Sequence, residues 1–200
     1  MDRITAESAQ GTRCSSCGKA VPNYDIINYG SIEQGYRQLC GQCFNAEAAK
    51  LDGLNFEYLD FEPILIADCS GQAHEFHFRT RLFGPGVAVD GFEICDGSPA
   101  GYRFQIIGDP AEDLLVLLGR LIEKIRRALS VRHLQESEYG LQVADKVLRA
   151  RIEWDEAEEG RVPLVVVDGR EVAWDQFGRM LMSFEGWQFR LAICDRSEEA

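Results

Sequence analysis

The sequence has no apolar run close to the roughly 18 uncharged residues that a bilayer span requires. Its opening, MDRITAESAQGTR, lacks the apolar segment of an export signal, so residues 1–10 read as a disordered lead on a cytoplasmic protein. Imidazoles are scarce, with His74, His77 and His133 the only three. There is no Gly-x-Ser-x-Gly elbow, phosphate-cradling glycine loop, dinucleotide fingerprint or His-Glu-x-x-His. The hydrolase, nucleotide-binding and metalloprotease chemistries that carry these signatures therefore have no support. Positive charge is in deficit: 21 Lys and Arg stand against 33 Asp and Glu, a net charge of −12. That balance opposes phosphate-backbone binding and suits solubility and a basic partner. Neither an internal repeat nor a low-complexity tract is present.

Cysteine, by contrast, is plentiful and unevenly placed. Of the seven, Cys69, Cys95 and Cys194 stand alone, and a reducing compartment would keep them as thiols without mutual disulfides. All three end apolar strand runs, and Cys69 and Cys95 read as small buried hydrophobes rather than as half of a Cys–His pair. The other four form two Cys-x-x-Cys pairs, Cys14/Cys17 and Cys40/Cys43, with 22 residues between Cys17 and Cys40. That gap slightly exceeds the roughly 15–20 residues of the common four-cysteine zinc spacing. Its content is more telling. YDIINYG (24–30) alternates β-formers, SIEQG turns, and YRQLC (36–40) returns as a strand. CGQCFNAEAAKL then opens a helix that carries the second pair in its first turn.

Zn²⁺ favours four soft thiolates in a tetrahedron, and a two-residue gap lets both sulfurs of a pair reach one ion. Cys40 and Cys43 fall where helix N–H groups favour anionic sulfur. Four thiolates close the coordination sphere, so the site is structural. Iron uses similar ligands. The order of knuckle, hairpin and helix, with LCGQCFN at the helix start, resembles a treble-clef or zinc-ribbon-like zinc finger over residues 14–51. The resemblance implies one tetrahedral zinc held by Cys14, Cys17, Cys40 and Cys43. Within this segment Arg13, Lys19, Arg37 and Lys50 slightly outnumber Asp25, Glu33 and Glu47, so nucleic acid would be approached only through the finger.

The remaining chain predicts an α+β architecture. PILIADC (63–69), HEFHFRTRLF (74–83), GVAVDGFEIC (86–95) and GYRFQIIG (101–108) read as strands joined by connections too short for helical crossovers, hence antiparallel. A helix follows, with Asp109 as cap, Pro110 at its first position, and Leu114, Leu117, Leu118, Leu121, Ile125 and Leu129 as its apolar stripe. Residues 132–142 read as a polar connector. Strands at 146–154 and 161–174, the latter turning at Asp168-Gly169, then precede a helix with a Phe177, Met180, Leu181 and Phe184 stripe. A last strand, WQFRLAIC (187–194), completes a ββαβ element. The expected units are thus a finger over 11–52, an antiparallel sheet with its long helix over 58–134, and the ββαβ element over 143–196, packed with the preceding unit. This body resembles an uncharacterised bacterial protein family with no assigned activity, through AHEFHFRTRLFG, GYRFQIIGD and PLVVVDGREVAWDQFGRMLMSFEGWQFRLAI. The resemblance carries over no catalytic residues.

Other candidate sites have plain explanations. Strand alternation sends His74 with Phe76 and Phe78 to one face, and His77 with Glu75, Arg79 and Arg81 to the other, so the two imidazoles share no metal. The charged row on β-face 75–81, and Arg149, Arg151 and Glu153, read as solvated faces with cross-strand pairs rather than an anion site. DEAEEG (155–160) lacks the ligand pattern of a calcium loop. Trp154, Trp174 and Trp187 belong to the core or its edge, unless exposed at a rim. The composite expectation is a non-enzymatic, zinc-stabilised binding or adaptor protein whose partner is another protein. Its contact surface would combine the finger with Trp174, Phe177 and Trp187. The alternatives are an enzyme with its site in the α+β body, and a nucleic-acid-associated factor acting through the finger.

Overall fold

The computed structural model describes residues 11–33, 35–138 and 140–198; the disordered lead expected at 1–10 lies outside them. The chain opens with a two-strand knuckle, β1 (Thr12–Arg13) and β2 (Ala20–Val21). A hairpin of β3 (Ile26–Ser31) and β4 (Gly35–Cys40) follows, then helix α1 (Gly41–Asp52). The expected order of knuckle, hairpin and helix is present. Four antiparallel strands succeed it in sequential order: β5 (Ile64–Ala67), β6 (Ala73–Phe83), β7 (Gly86–Cys95) and β8 (Ser98–Gly108). The fold is α+β.

Helix α2 (Leu114–Leu129) lies on this sheet, and Leu114, Leu117, Leu121, Ile125 and Leu129 are each at most 5% exposed. They meet Phe76, Leu82, Val87, Val89 and Ile106 from the strands. Burying a side chain of this size contributes about 2 kcal/mol, so the stripe dominates the docking of α2. The helix begins later than Asp109 and Pro110 suggest. Its cap is Asp113, whose carboxylate accepts the Leu115 N–H at 2.8 Å. Asp109 instead accepts the Ala111 N–H within a preceding turn. Two Asp residues four apart offer the same capping chemistry, and the packed stripe starting at Leu114 selects the second.

The finger joins the body through a gap in the sheet. Strand β5 covers only the first part of β6, from Ala67↔Ala73 to Ile64↔Phe76. Beyond Phe76 the same edge of β6 is open, and α1 fills it. Asn45, fully buried, donates to Thr80 O at 2.8 Å and accepts the Leu82 N–H at 2.7 Å. Its amide thus replaces the peptide group of a missing neighbouring strand. Ala49 joins the main core beside Asn45, and Tyr24 stacks edge-on against His77 and Phe92.

The C-terminal unit differs from the sequence expectation in three places. Residues read as a polar connector form a hairpin, β9 (Leu134–Ser137) and β10 (Gly140–Val143). The run 146–154 yields only β11 (Arg151–Trp154), which pairs with β12 (Pro163–Val167) and through it β13 (Arg170–Val172). Asp168 and Gly169, at φ 50° and 73°, make the expected tight turn. After α3 (Trp174–Leu181), the run 187–194 forms no strand. Its alternation is right for a strand, but no described strand offers it a paired edge. Beyond it, Lys124 Nζ binds the carbonyls of Arg196, Ser197 and Glu198, drawing the chain out along α2. Leu134, Val143, Val165, Val167, Val172 and Met180 form this unit's own core.

Candidate metal centre

The four paired cysteines converge. Their sulfurs all lie within 4.8 Å of one another, and Cys17 Sγ is 3.9 Å from Cys40 Sγ. A disulfide needs about 2.05 Å, so these are free thiols. A tetrahedral ion with bonds of about 2.3 Å to sulfur places its ligands about 3.8 Å apart. The cluster therefore fits a metal ion, held by Cys14, Cys17, Cys40 and Cys43.

Local backbone builds this geometry. In the knuckle, the Cys14 N–H donates to Lys19 O and the Gly18 N–H to Cys14 O, both at 2.9 Å. The Ser15 N–H donates to Gln38 O at 2.7 Å, tying the knuckle to β4. Cys40 caps α1 and Cys43 lies in its first turn. Leu39, Val21 and Cys14 are buried beneath, with Tyr29 edge-on to Phe44.

The thiol electrostatics depart from expectation. Burial pushes Cys40 upward, and it pushes Cys43 up to about 12. The helix N-terminus does not overcome desolvation there. Cys14 is the exception: burial opposes its ionisation, but N–H groups of Cys17, Cys40 and Ser16 together bring it down to about 6. A metal-free cluster therefore holds one ready thiolate, and a bound cation must displace protons from the others.

Other sequence candidates fall elsewhere. Cys69, Cys95 and Cys194 are exposed thiols, not buried hydrophobes: Cys69 lies past the end of β5, Cys95 ends β7, and Cys194 lies in a run that forms no strand. His74 and His77 point apart as alternation requires, His74 to Glu93 at 2.7 Å and His77 to Glu75 at 2.9 Å. The Arg79–Arg81 face is not solvated: both arginines reach Asp90, which is 4% exposed, and Arg79 also donates to Tyr24 O of the finger. Arg151 and Glu153 pair with each other and reach β8 through Gly101 O and Arg103, whereas Arg149 precedes the strand. None of the three tryptophans is core. Trp154 is 66%, Trp174 44% and Trp187 62% exposed, and Phe177 is half-buried against Trp174.

Sequence reading also missed a polar cleft between β8 and the C-terminal unit. Asp68, His74, Glu93, Cys95 and Tyr102 line one side, and Arg132, Glu136, Asp168 and Arg170 the other. The Ser70 hydroxyl, with the N–H groups of Gln72 and Ser70, holds the Asp68 carboxyl down at about 2. Burial, reinforced by Asp168, Asp68 and Glu93, pushes the Tyr102 phenol up. No local motif signals this site, because its members are scattered over a hundred residues. Asn45 left a fainter trace: an Asn inside an alanine-rich helix is a poor helix former without a tertiary task.

Among the described residues, no helix is long and apolar enough to cross a membrane. Three family models match the chain, each described as a domain of unknown function: DUF7685 over residues 13–55, DUF7686 over 57–130 and DUF7713 over 133–198. No curated protein and no solved structure matches it.

Proposed function

We propose that this chain is a non-enzymatic, cytoplasmic binding or adaptor protein of bacterial type, stabilised by one structural zinc in a treble-clef finger. Its partner is another protein with a basic surface. The observation that carries this reading is an uncovered apolar row: Trp187, Phe189, Leu191 and Ile193 are 62%, 86%, 73% and 75% exposed. Exposed apolar side chains gathered in one short segment mark an interaction surface. Trp174 and Phe177 extend the C-terminal aromatic content, and exposed aromatics supply binding energy at low entropic cost. The net charge of −12 selects for a basic partner. Zinc is favoured over iron because a closed, all-thiolate tetrahedron supplies folding energy without redox chemistry. Three exposed thiols outside the finger suit a reducing compartment.

Two measurements test this. Elemental analysis of protein purified without added metal should give one zinc per chain; iron as the main metal overturns the metal assignment. Trp174→Ala and Trp187→Ala should weaken capture of the cellular partner and leave the circular dichroism spectrum unchanged. A turnover abolished by one carboxylate or cysteine substitution refutes the adaptor role. Nucleic acid retained by the finger at physiological salt refutes the choice of partner.

A further inference from the structure

The cleft between β8 and the C-terminal unit has a chemistry that neither the metal centre nor the apolar row uses. It encloses about 470 Å³, within the roughly 300–1,000 Å³ of small-molecule sites. Its lining carries four carboxylates, Asp68, Glu93, Glu136 and Asp168, against the guanidinium groups of Arg132 and Arg170. Arg170 is engaged by Glu136 at 2.8 Å. The cleft is therefore net acidic.

Its inner end is set by His74, 8% exposed. Glu93 Oε1 accepts the Nδ1 proton at 2.7 Å, while Glu93 Oε2 accepts the Tyr102 N–H at 2.7 Å. A carboxylate only accepts, so Glu93 keeps a proton on Nδ1, and in the neutral ring that tautomer leaves the lone pair at Nε2. That nitrogen is buried and has no hydrogen-bond partner. Facing it at 3.6 Å is Asp68 Oδ2, and Arg132 Nη2 stands 3.7 Å from the same oxygen. Both gaps exceed a hydrogen bond. The other oxygen of Asp68 is saturated by the Ser70 N–H, the Ser70 hydroxyl and the Gln72 N–H. In that tautomer two acceptors converge with no donor between them.

A hydroxyl has one proton and satisfies only one of them. An anion meets Asp68 head-on. A group with two or more N–H protons and a positive charge satisfies both acceptors and the acidic lining together. Tyr102, edge-on to His74 with centroids 5.4 Å apart, supplies an apolar wall for a short alkyl portion. Gly169 keeps that wall in place, since a Cβ there would lie 2.9 Å from the Tyr102 ring.

We propose that this cleft binds a small primary ammonium ligand. Asp68 Oδ2 and His74 Nε2 accept its protons, and Glu93 fixes the tautomer of His74. Arg132, half-exposed at the rim, is placed to take an anionic group on the same molecule. A simple amine and an α-amino acid are therefore the two sources of this chemistry. The lining comes from two of the matched domains, so the ligand spans their seam.

The test uses the full-length, metal-loaded chain and four probes: n-butylamine, its uncharged isostere n-butanol, butyrate and 2-aminobutyrate. Nitrogen-15 spectra of the imidazoles report the site directly. Butylamine should shift the His74 Nε2 resonance saturably, with a smaller change at Nδ1. Butanol should bind about tenfold more weakly or worse, the loss of one charge-assisted hydrogen bond. Asp68→Asn retains an oxygen for the Ser70 and Gln72 donors but turns the other side into an amide, and should weaken butylamine by a similar factor. If 2-aminobutyrate binds more tightly than butylamine, the source is an amino acid; if less tightly, a simple amine. Equal binding of butylamine and butanol, tighter binding of butyrate, or no response of His74 to any probe overturns the proposal. Should Asp68→Asn fail to fold, the wild-type spectra alone decide.

Discussion

Asn45→Ala tests the joint between finger and body. In the native chain the Asn45 amide spends one proton on Gly41 O and one on Thr80 O, both at 2.8 Å, and accepts the Leu82 N–H at 2.7 Å. Gly41 O keeps its helical partner in the variant. Thr80 O and the Leu82 N–H do not, since β5 stops short of them. Each buried backbone group left unpaired costs about 1–3 kcal/mol, so the substitution should destabilise by about 3 kcal/mol. For a chain of this size that lowers the melting temperature by roughly 6–12 °C, at about 2–4 °C per kcal/mol. The control is Glu47→Gln on the same helix, which breaks the Arg37–Glu47 pair at 2.5 Å; that arginine is half-exposed. A surface pair is worth about 0–1 kcal/mol, and Glu47→Gln should barely move the transition. Urea unfolding followed by circular dichroism, with metal release recorded in parallel, measures both. The strand-replacement argument fails if Asn45→Ala costs less than about 1 kcal/mol, or no more than Glu47→Gln.

Two further outcomes concern the thiols, and a third the metal. In the metal-free chain the Cys14 thiol is depressed to about 6, so its contribution is fully present above its unfolded value and is lost as pH falls through 6. Metal-free protein should therefore gain stability from pH 6 to pH 9, and Cys14→Ser should flatten that slope in denaturant titrations. With metal bound, a thiol reagent should react quickly with Cys69, Cys95 and Cys194, which are exposed, and reach the finger cysteines only after chelation. Cys40→Ser should abolish metal retention and destabilise mainly the residues before Gly53, because ligand binding there contributes local folding energy; loss of the whole β5–β8 hydrogen-exchange core would contradict this.

The sequence by itself determined what local chemistry determines. Two Cys-x-x-Cys pairs around a β-turn-β segment placed the candidate metal centre. The heptad-like leucines of α2 gave a helix, and short glycine-rich connections gave an antiparallel sheet. Alternation alone separated His74 from His77. Asp168-Gly169 announced its own turn. Tertiary structure decided the rest, because it depends on partners distant in the chain. Asp113 displaced Asp109 as the cap once Leu114 had a core to enter. The run 187–194 has every local mark of a strand and forms none, since a strand exists only against another edge. Burial, which no local pattern measures, raised Cys40 and Cys43 where the helix end alone would lower them. Asn45 acquired its task from the four-residue length of β5, and the cleft around His74 from folding residues 68, 93, 132 and 168 together. Hydrogen bonds within a turn can be read along the chain; those that replace a missing strand or leave an imidazole nitrogen unanswered exist only when the chain has closed on itself.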